Sequence, residues 1–275
     1  MTARLSWKQR LNRHWRLHAT AFAFTSFGVG AVVLGFTWFP LLRLVSWSEP
    51  QLRRRARLTL HHAFRLFVGL MRHTGLVSYE LHGRERLLAP VPPGGRLIIA
   101  NHPSLIDVVL LVSFLPEVDC IVKKALWRNP FLRWPVVWAG YIPNDEGEAL
   151  VANCARVLKA GRALLVFPEG TRSRPGQPLE MRRGAAQVAL AAGCEILPVS
   201  IICQPSTLTK AEKWWNIPPR RAHWKITVEP SFRASEVIPA NLPPALAARR
   251  LSRYFQDFFT ARIGAPAAQN LQLPP

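Results

Sequence analysis

From Ala19 to Leu42 the chain runs for 24 residues without a charged side chain, with basic residues on both sides. At about 1.5 Å of rise per residue, a helix of that length crosses the hydrocarbon of a bilayer. The run is too long for the apolar part of a cleaved signal, and Trp38, Phe39 and Pro40 stand where the small residues of a cleavage site belong. It reads as a retained membrane segment. Arg4, Lys8, Arg10, Arg13 and Arg16 precede it; Arg43, Arg53, Arg54, Arg55 and Arg57 follow. An excess of Lys and Arg on one side orients a spanning helix, and here the two flanks balance. That symmetry suits a helix with both ends on one side, loosened by Gly28, Gly30 and Gly35, ended by Pro40 and dipping into one leaflet.

Residues 56–73 add a second helix. Leu60, Phe64, Phe67 and Met71 recur at helical spacing, while Arg57, His61, Arg65 and Arg72 lie elsewhere around it. This is the pattern of a basic amphipathic helix at a membrane interface; the alternative is a helix packed on the protein's own core.

Composition narrows the partners. The 275 residues carry 36 Lys and Arg against 16 Asp and Glu, a net charge of +20, and are 49% hydrophobic. So apolar a chain is not a disordered basic tail. So basic a surface calls for an anionic partner: nucleic acid, an anionic membrane face, or an acidic carrier or substrate. Twelve of the basic residues but only one acid, Glu49, fall within residues 1–77, around the uncharged run. Charge clustered beside an apolar segment, with no helix-turn-helix, zinc-finger or RNP-type signature, argues against nucleic acid. Cys120, Cys154, Cys194 and Cys203 form no CxxC or zinc spacing and read as small buried hydrophobes in a reducing compartment.

After Gly75 short apolar runs alternate with helical stretches. Strands are predicted at 97–100, 120–122, 163–167, 196–202 and 224–228. Helices are predicted after Pro103 and over 149–160, 185–192 and 245–262, the last with Leu251, Tyr254, Phe255 and Phe258 on one side and a loose tail after Gly264. The alternation predicts an α/β fold: an αβα sandwich with a mostly parallel mixed sheet, plus the N-terminal helical membrane-associated element. The expected division is 1–77 for the membrane helices and 78–275 for the sandwich with its C-terminal amphipathic helix.

In such sheets function collects beyond the C-terminal ends of strands. The strand at 97–100 runs into Asn101-His102-Pro103-Ser104-Leu105-Ile106-Asp107. With Pro103 in the first turn of a helix, Asp107 falls about a turn further on. Its carboxylate can hold one imidazole nitrogen of His102 and leave the other to take a proton from a hydroxyl. No serine or cysteine nucleophile accompanies the pair, which suits direct attack of a substrate alcohol on an acyl carbonyl. The strand at 163–167 ends in Phe167-Pro168-Glu169-Gly170-Thr171-Arg172-Ser173. Gly170 allows close backbone approach to a ligand, and Arg172 offers a planar fork to phosphate or carboxylate.

Together these two blocks make the chain resemble the glycerolipid and lysophospholipid acyltransferase family, typified by 1-acylglycerol-3-phosphate acyltransferases. NHxxxxD matches Asn101 to Asp107, and FPEGTRS matches Phe167 to Ser173 without a mismatch. FK-x-GA corresponds to Met181-Arg182-Arg183-Gly184-Ala185, and the weaker fourth block to Leu197-Pro198-Val199-Ser200-Ile201. The resemblance implies His102 as general base and Asp107 as its orienting partner. It implies substrate-binding roles for Asn101, Glu169, Gly170, Thr171, Arg172 and Arg182, with the two arginines toward an acceptor phosphate. It further implies an acyl thioester on acyl carrier protein or CoA as co-substrate, no metal, no other cofactor and no nucleic acid. The expected place is the inner (cytoplasmic) membrane, with the catalytic part facing the cytoplasm. The second block departs from the pattern. Its usual arginine is missing, and Gly140 is followed by Tyr141-Ile142-Pro143-Asn144-Asp145. That leaves the acceptor open between lysophosphatidate and another monoacylated lipid, such as a lyso-ornithine lipid or a specialised glycolipid. An acyltransferase of lipopolysaccharide precursors is disfavoured by the complete FPEGTR block.

Overall fold

The computed structural model describes residues 7–145, 147–210 and 212–269; Arg4, assigned above to the basic flank, lies outside them. Helix α1 spans Trp7–Val33, and a widened π-helical turn, Leu34–Trp38, joins it to α2, Phe39–Leu44. Pro40 explains the turn. It has no N–H to donate, and its ring would strike the carbonyl four residues back. One residue is looped out instead, so the Phe39 N–H reaches Leu34 O. Gly35 sits in this turn because a Cβ there would stand 2.8 Å from Phe131 O.

Helix α1 has two unlike sides. Arg16, Ala19, Thr20 and Ala23 are buried against the protein. Trp7, Leu11, Trp15, Phe22, Val29, Val33 and Phe36 recur at intervals of three, four or seven and are all exposed by half or more. A one-sided apolar stripe of this length is the form of a helix lying in an interface. The helical stretch Arg10–Leu44 is also long and apolar enough to cross a membrane.

Helix α3, Glu49–His73, is capped by Ser48, whose hydroxyl accepts the Gln51 N–H. Its apolar stripe is not at the surface. Leu60 and Met71 are buried, and Phe64 and Phe67 meet Phe27 of α1 at 6.1 and 4.9 Å between ring centroids. The interfacial reading of residues 56–73 is therefore corrected: the stripe is covered by the protein itself, and the lipid-like face belongs to α1.

Then come β1 (Val77–His82), α4 (Arg84–Leu88), β2 (Arg96–Ala100), α5 (Asp107–Phe114), β3 (Asp119–Val122), α6 (Arg133–Trp138) and β4 (Ile142–Pro143). They are followed by α7 (Glu148–Lys159), β5 (Ala163–Val166), α8 (Arg183–Ala192), β6 (Glu195–Gln204), β7 (Ala222–Val228), β8 (Phe232–Arg233), α9 (Ala234–Val237) and α10 (Pro244–Gln269). The strand order is β1-β7-β6-β2-β5-β3-β4, with β8 beside β6. Every pairing is parallel except those of β6 with β7 and β8. The mixed, mostly parallel sandwich is thus as expected. Alternate residues of β2 face opposite layers: Ile98 and Ala100 pack toward α1, α3 and α5, Leu97 and Ile99 toward α7, α8 and α10. All five residues of β2 are buried, which makes it the central strand.

Five elements differ from expectation. The short strands β1, β4 and β8 carry too little apolar pattern to stand out. Helix α10 continues past Gly264 to Gln269, where a loose tail was expected. Helix α5 begins at Asp107 itself, so the carboxylate stands at the helix start and not a turn inside it. The reason is local: Ser104 donates from its N–H (2.6 Å) and its hydroxyl (2.5 Å) to the Asp107 carboxylate, which holds 103–106 in a turn.

A buried ion cluster joins the N-terminal helices to the sheet. Asp119, with no exposed side-chain surface, accepts from Arg57 of α3 at 3.0 Å and from Arg162 at 2.5 and 2.8 Å. Removing one member of such a cluster strands the others in low dielectric. We expect Asp119→Ala to lower stability by about 3–5 kcal/mol in urea unfolding of the detergent-solubilised protein; a loss below about 1 kcal/mol would show the cluster to be incidental.

Candidate active site

Strands β2 and β5 are parallel neighbours, with Ile99 opposite Val166, so the blocks that follow them emerge side by side at one sheet edge. Two hydrogen bonds then join the loops. His102 N–H donates to Glu169 Oε1 at 2.8 Å, and Ser173 N–H donates to His102 O at 2.7 Å. His102, Asp107, Glu169 and Ser173 thus form one connected set.

Asn101 begins it by prolonging the sheet with a side chain. Its Nδ2 donates to Ile201 O and its Oδ1 accepts from Ile201 N–H, both at 2.7 Å. The amide is buried and committed to β6, so it braces the loop from which His102 projects.

Asp107 is the most enclosed charge of the site, with no exposed side-chain surface. Its Oδ2 accepts from His102 Nδ1 at 2.9 Å and from Ser104 N–H; its Oδ1 accepts from the Ser104 hydroxyl and, at 3.2 Å, from the Trp224 indole N–H. Every donor addresses the ionised form, which is how a buried carboxylate is made tolerable. An acceptor at Nδ1 assigns the ring proton to that nitrogen, leaving Nε2 with its lone pair. The imidazole is also packed by Phe167, whose ring lies 4.3 Å away between centroids and is tilted by 33°. The His102 side chain keeps 15% of its surface exposed, so the site is open at the ring.

The loop after β5 is shaped by Glu169 and Gly170. Glu169 is buried, and burial pushes its carboxyl above the ordinary carboxylate value against the opposing donors, His102 N–H and the Ser173 hydroxyl. Gly170 has φ of +67°, and a Cβ there would come within 2.9 Å of Arg182 Cδ. The turn thus favours glycine for its conformation, and a larger residue would also displace the Arg182 side chain. Arg182 lies across Gly170 and remains exposed, while its N–H donates to Pro168 O. Thr171 is exposed on the same turn. Arg172 is half-buried, and its Nη1 donates to the carbonyls of Leu208 and Thr209 at 2.9 and 3.0 Å. At the end of β4, Asp145 pairs with Lys124 at 2.7 Å.

Sequence reasoning missed four participants. Ser104 was inside a block already singled out, and its short spacing to Asp107 was the available signal. Phe167 was quoted only as the end of a strand. Trp224 lies 117 positions from Asp107 and Leu208 lies 36 from Arg172, so no local pattern could reveal them.

The αβα sandwich thus presents at its sheet edge a histidine oriented by an aspartate. The serine beside the ring, Ser104, donates to the same carboxylate and not to the imidazole. Residues 78–202 match the family model described as Acyltransferase, and over that stretch the chain is similar to that family. It is 28% identical over 171 residues to the 1-acyl-sn-glycerol-3-phosphate acyltransferase of Pseudomonas aeruginosa, covering 60% of this chain and 65% of that one. It is 34% identical over 116 residues to the protein of that name from Helicobacter pylori, covering 40% and 49%. The chain thus matches less than two thirds of the length of each. The fold is similar to the crystal structure of the 1-acyl-sn-glycerophosphate (LPA) acyltransferase PlsC from Thermotoga maritima. That similarity has a TM-score of 0.62 at 18% identity, over 91% of this chain and 99% of the other.

The raised Glu169 carboxyl has a consequence for pH. The folded chain holds that proton more tightly than the unfolded chain. Its contribution to stability is therefore full below the ordinary value and is lost as pH rises through the folded one. Thermal unfolding of wild type and Glu169→Gln should show the wild type losing ground to the variant as pH rises from about 4.5. A wild-type advantage that grows with pH would contradict the assignment.

Proposed function

We propose that the protein is a membrane-bound O-acyltransferase of phospholipid biosynthesis. It moves a fatty acyl group from an acyl thioester, on acyl carrier protein or CoA, to a hydroxyl of a lysophosphatidate-like monoacylated lipid. The observation that carries this reading is the His102–Asp107 pair at the mouth of the FPEGTRS loop, with the imidazole lone pair left open.

His102 Nε2 takes the proton of the acceptor hydroxyl as its oxygen attacks the thioester carbonyl. Asp107 stabilises the imidazolium that forms, without itself taking the proton. When the tetrahedral intermediate collapses, the C–S bond breaks, the ester remains on the lipid and the imidazolium returns its proton to the leaving thiolate. The protein forms no covalent bond to the acyl group. Arg172 and Arg182, on either side of Gly170, receive the acceptor's phosphate. Arg172 does so from a fixed position, because Nη1 is tied to Leu208 and Thr209. The names of the curated relatives support lysophosphatidate as acceptor. The Asn144–Asp145 segment favours a second reading, a lyso-ornithine or glycolipid acceptor, because Asp145 neutralises the nearby Lys124.

Residues 1–77 seat the enzyme on the membrane through the exposed stripe of α1, and residues 78–275 carry the chemistry. The place that fits is the inner (cytoplasmic) membrane with the site on the cytoplasmic side, where thioester donors are made.

His102→Ala should leave the fold intact by circular dichroism and lower acyl transfer by about 10²–10⁴-fold; undiminished turnover would remove His102 as the base. Competition between matched acyl-carrier and acyl-CoA donors, read by mass spectrometry with lysophosphatidate, lyso-ornithine lipid and a monoacylated glycolipid side by side, identifies both substrates. Lysophosphatidate is the expected acceptor, and its failure beside a working alternative would establish the second reading.

A further inference from the structure

The connection between β6 and β7 belongs neither to the motifs nor to the N-terminal helices, yet it touches both. On one side it is fastened to α1. The buried Arg16 donates from Nη1 to Pro218 O at 2.9 Å and from Nη2 to Pro219 O at 3.0 Å, and Trp214 meets Phe24 with centroids 6.1 Å apart. On the other side it is fastened to the active site. Leu208 O accepts from Leu105 N–H at 3.1 Å and from Arg172 Nη1, and Thr209 O accepts from Arg172 as well. Leu208 holds this carbonyl in place with φ of 54°, a left-handed conformation that a leucine adopts only when its surroundings impose it. The connection is thus a strap from the membrane helix to the arginine of the FPEGTRS block.

Its outer surface has the composition of a lipid contact. Trp214 and Trp215 are 39% and 48% exposed and stand edge to face, with centroids 5.4 Å apart. The Lys213 ammonium lies 5.0 Å from the Trp215 ring centroid. Residues 205–221 carry Lys210, Lys213, Arg220 and Arg221 against one acid, Glu212. Adjacent indoles beside lysine are amphipathic groups suited to the headgroup depth, where the ring is half desolvated and the cation meets lipid phosphate. The patch adjoins α1 through the packing of Trp214 on Phe24.

We propose that the Trp214–Trp215 strap is a second lipid-binding surface, docking on the headgroup layer of an anionic phospholipid bilayer and setting the position of Arg172 from there. The proposal rests on the membrane reading of α1. Seating of the indoles fixes residues 208 and 209, and through their carbonyls the guanidinium that faces the acceptor. Acceptor capture is thereby coupled to the lipid surface on which the acceptor resides.

The test uses the full chain in a Cys203→Ala background, which leaves three buried thiols. Trp215→Cys and, separately, Leu44→Cys on α2 are labelled with an environment-sensitive fluorophore. Each protein is then mixed with vesicles of phosphatidylethanolamine and phosphatidylglycerol. Blue shifts at both positions are expected, with the residue-215 probe quenched more by shallow than by deep spin-labelled lipid. A shift at residue 44 without one at residue 215 would overturn the strap as a lipid contact and leave the membrane reading standing. No shift at either would overturn both. In a second arm, Trp214→Ala/Trp215→Ala should raise KM for vesicle-borne acceptor by about 5- to 20-fold, while turnover of a monodisperse short-chain acceptor stays unchanged. Equal losses on both acceptors would show the indoles to be structural and also overturn the proposal.

Discussion

A carboxylate sealed from water at the edge of a sheet is the constraint around which this molecule is organised. Asp107 has no exposed side-chain surface, and an uncompensated charge there would cost several kcal/mol. Its donors come from three places in the chain: the turn at Ser104, the imidazole of His102 and the indole of Trp224 on β7. The carboxylate sets the tautomer of His102 by accepting at Nδ1, and its bonds from Ser104 delay the start of α5 until Asp107 itself. The indole from β7 ties this turn to the antiparallel part of the sheet. Local chain geometry and the availability of Nε2 thus follow from satisfying one buried charge.

The same logic operates at a larger scale at Asp119. That carboxylate gathers Arg57 from α3 and Arg162 before β5, so the N-terminal helices are joined to the sheet through a charge cluster as well as through apolar packing. The helices are therefore held in a defined orientation to the active site and are not a loosely tethered anchor. With the buried side of α1 fixed by Arg16 and Ala23, its exposed, largely apolar stripe faces outward, interrupted by His18 and Thr25.

Much of this was legible in the sequence wherever the signal was periodic or dense. The strands at 97–100 and 163–167 were visible as apolar runs, and their following blocks pointed to one sheet edge. The uncharged run 19–42 was readable as membrane-suited, but which of its sides is buried depends on partners such as Phe64 and Phe67, some 40 residues away. The stripe on α3 looked interfacial for the same reason: amphipathicity records that one face needs cover and does not say whether lipid or protein supplies it. The strands β4 and β8, two residues each, exist through pairing alone. Trp224 and Leu208 reach the site only through the order of β6 and β7, which no local pattern encodes.

In the proposed mechanism His102, oriented by Asp107, activates the acceptor for direct attack, with no acyl group ever resting on the protein. Intact-protein mass spectrometry, after rapid mixing with acyl thioester alone and then with acceptor, tests it most directly. The protein mass should stay unmodified at all times, with thiol released only once acceptor is present. A transient acyl adduct on the protein that forms with donor alone and disappears on adding acceptor would contradict it.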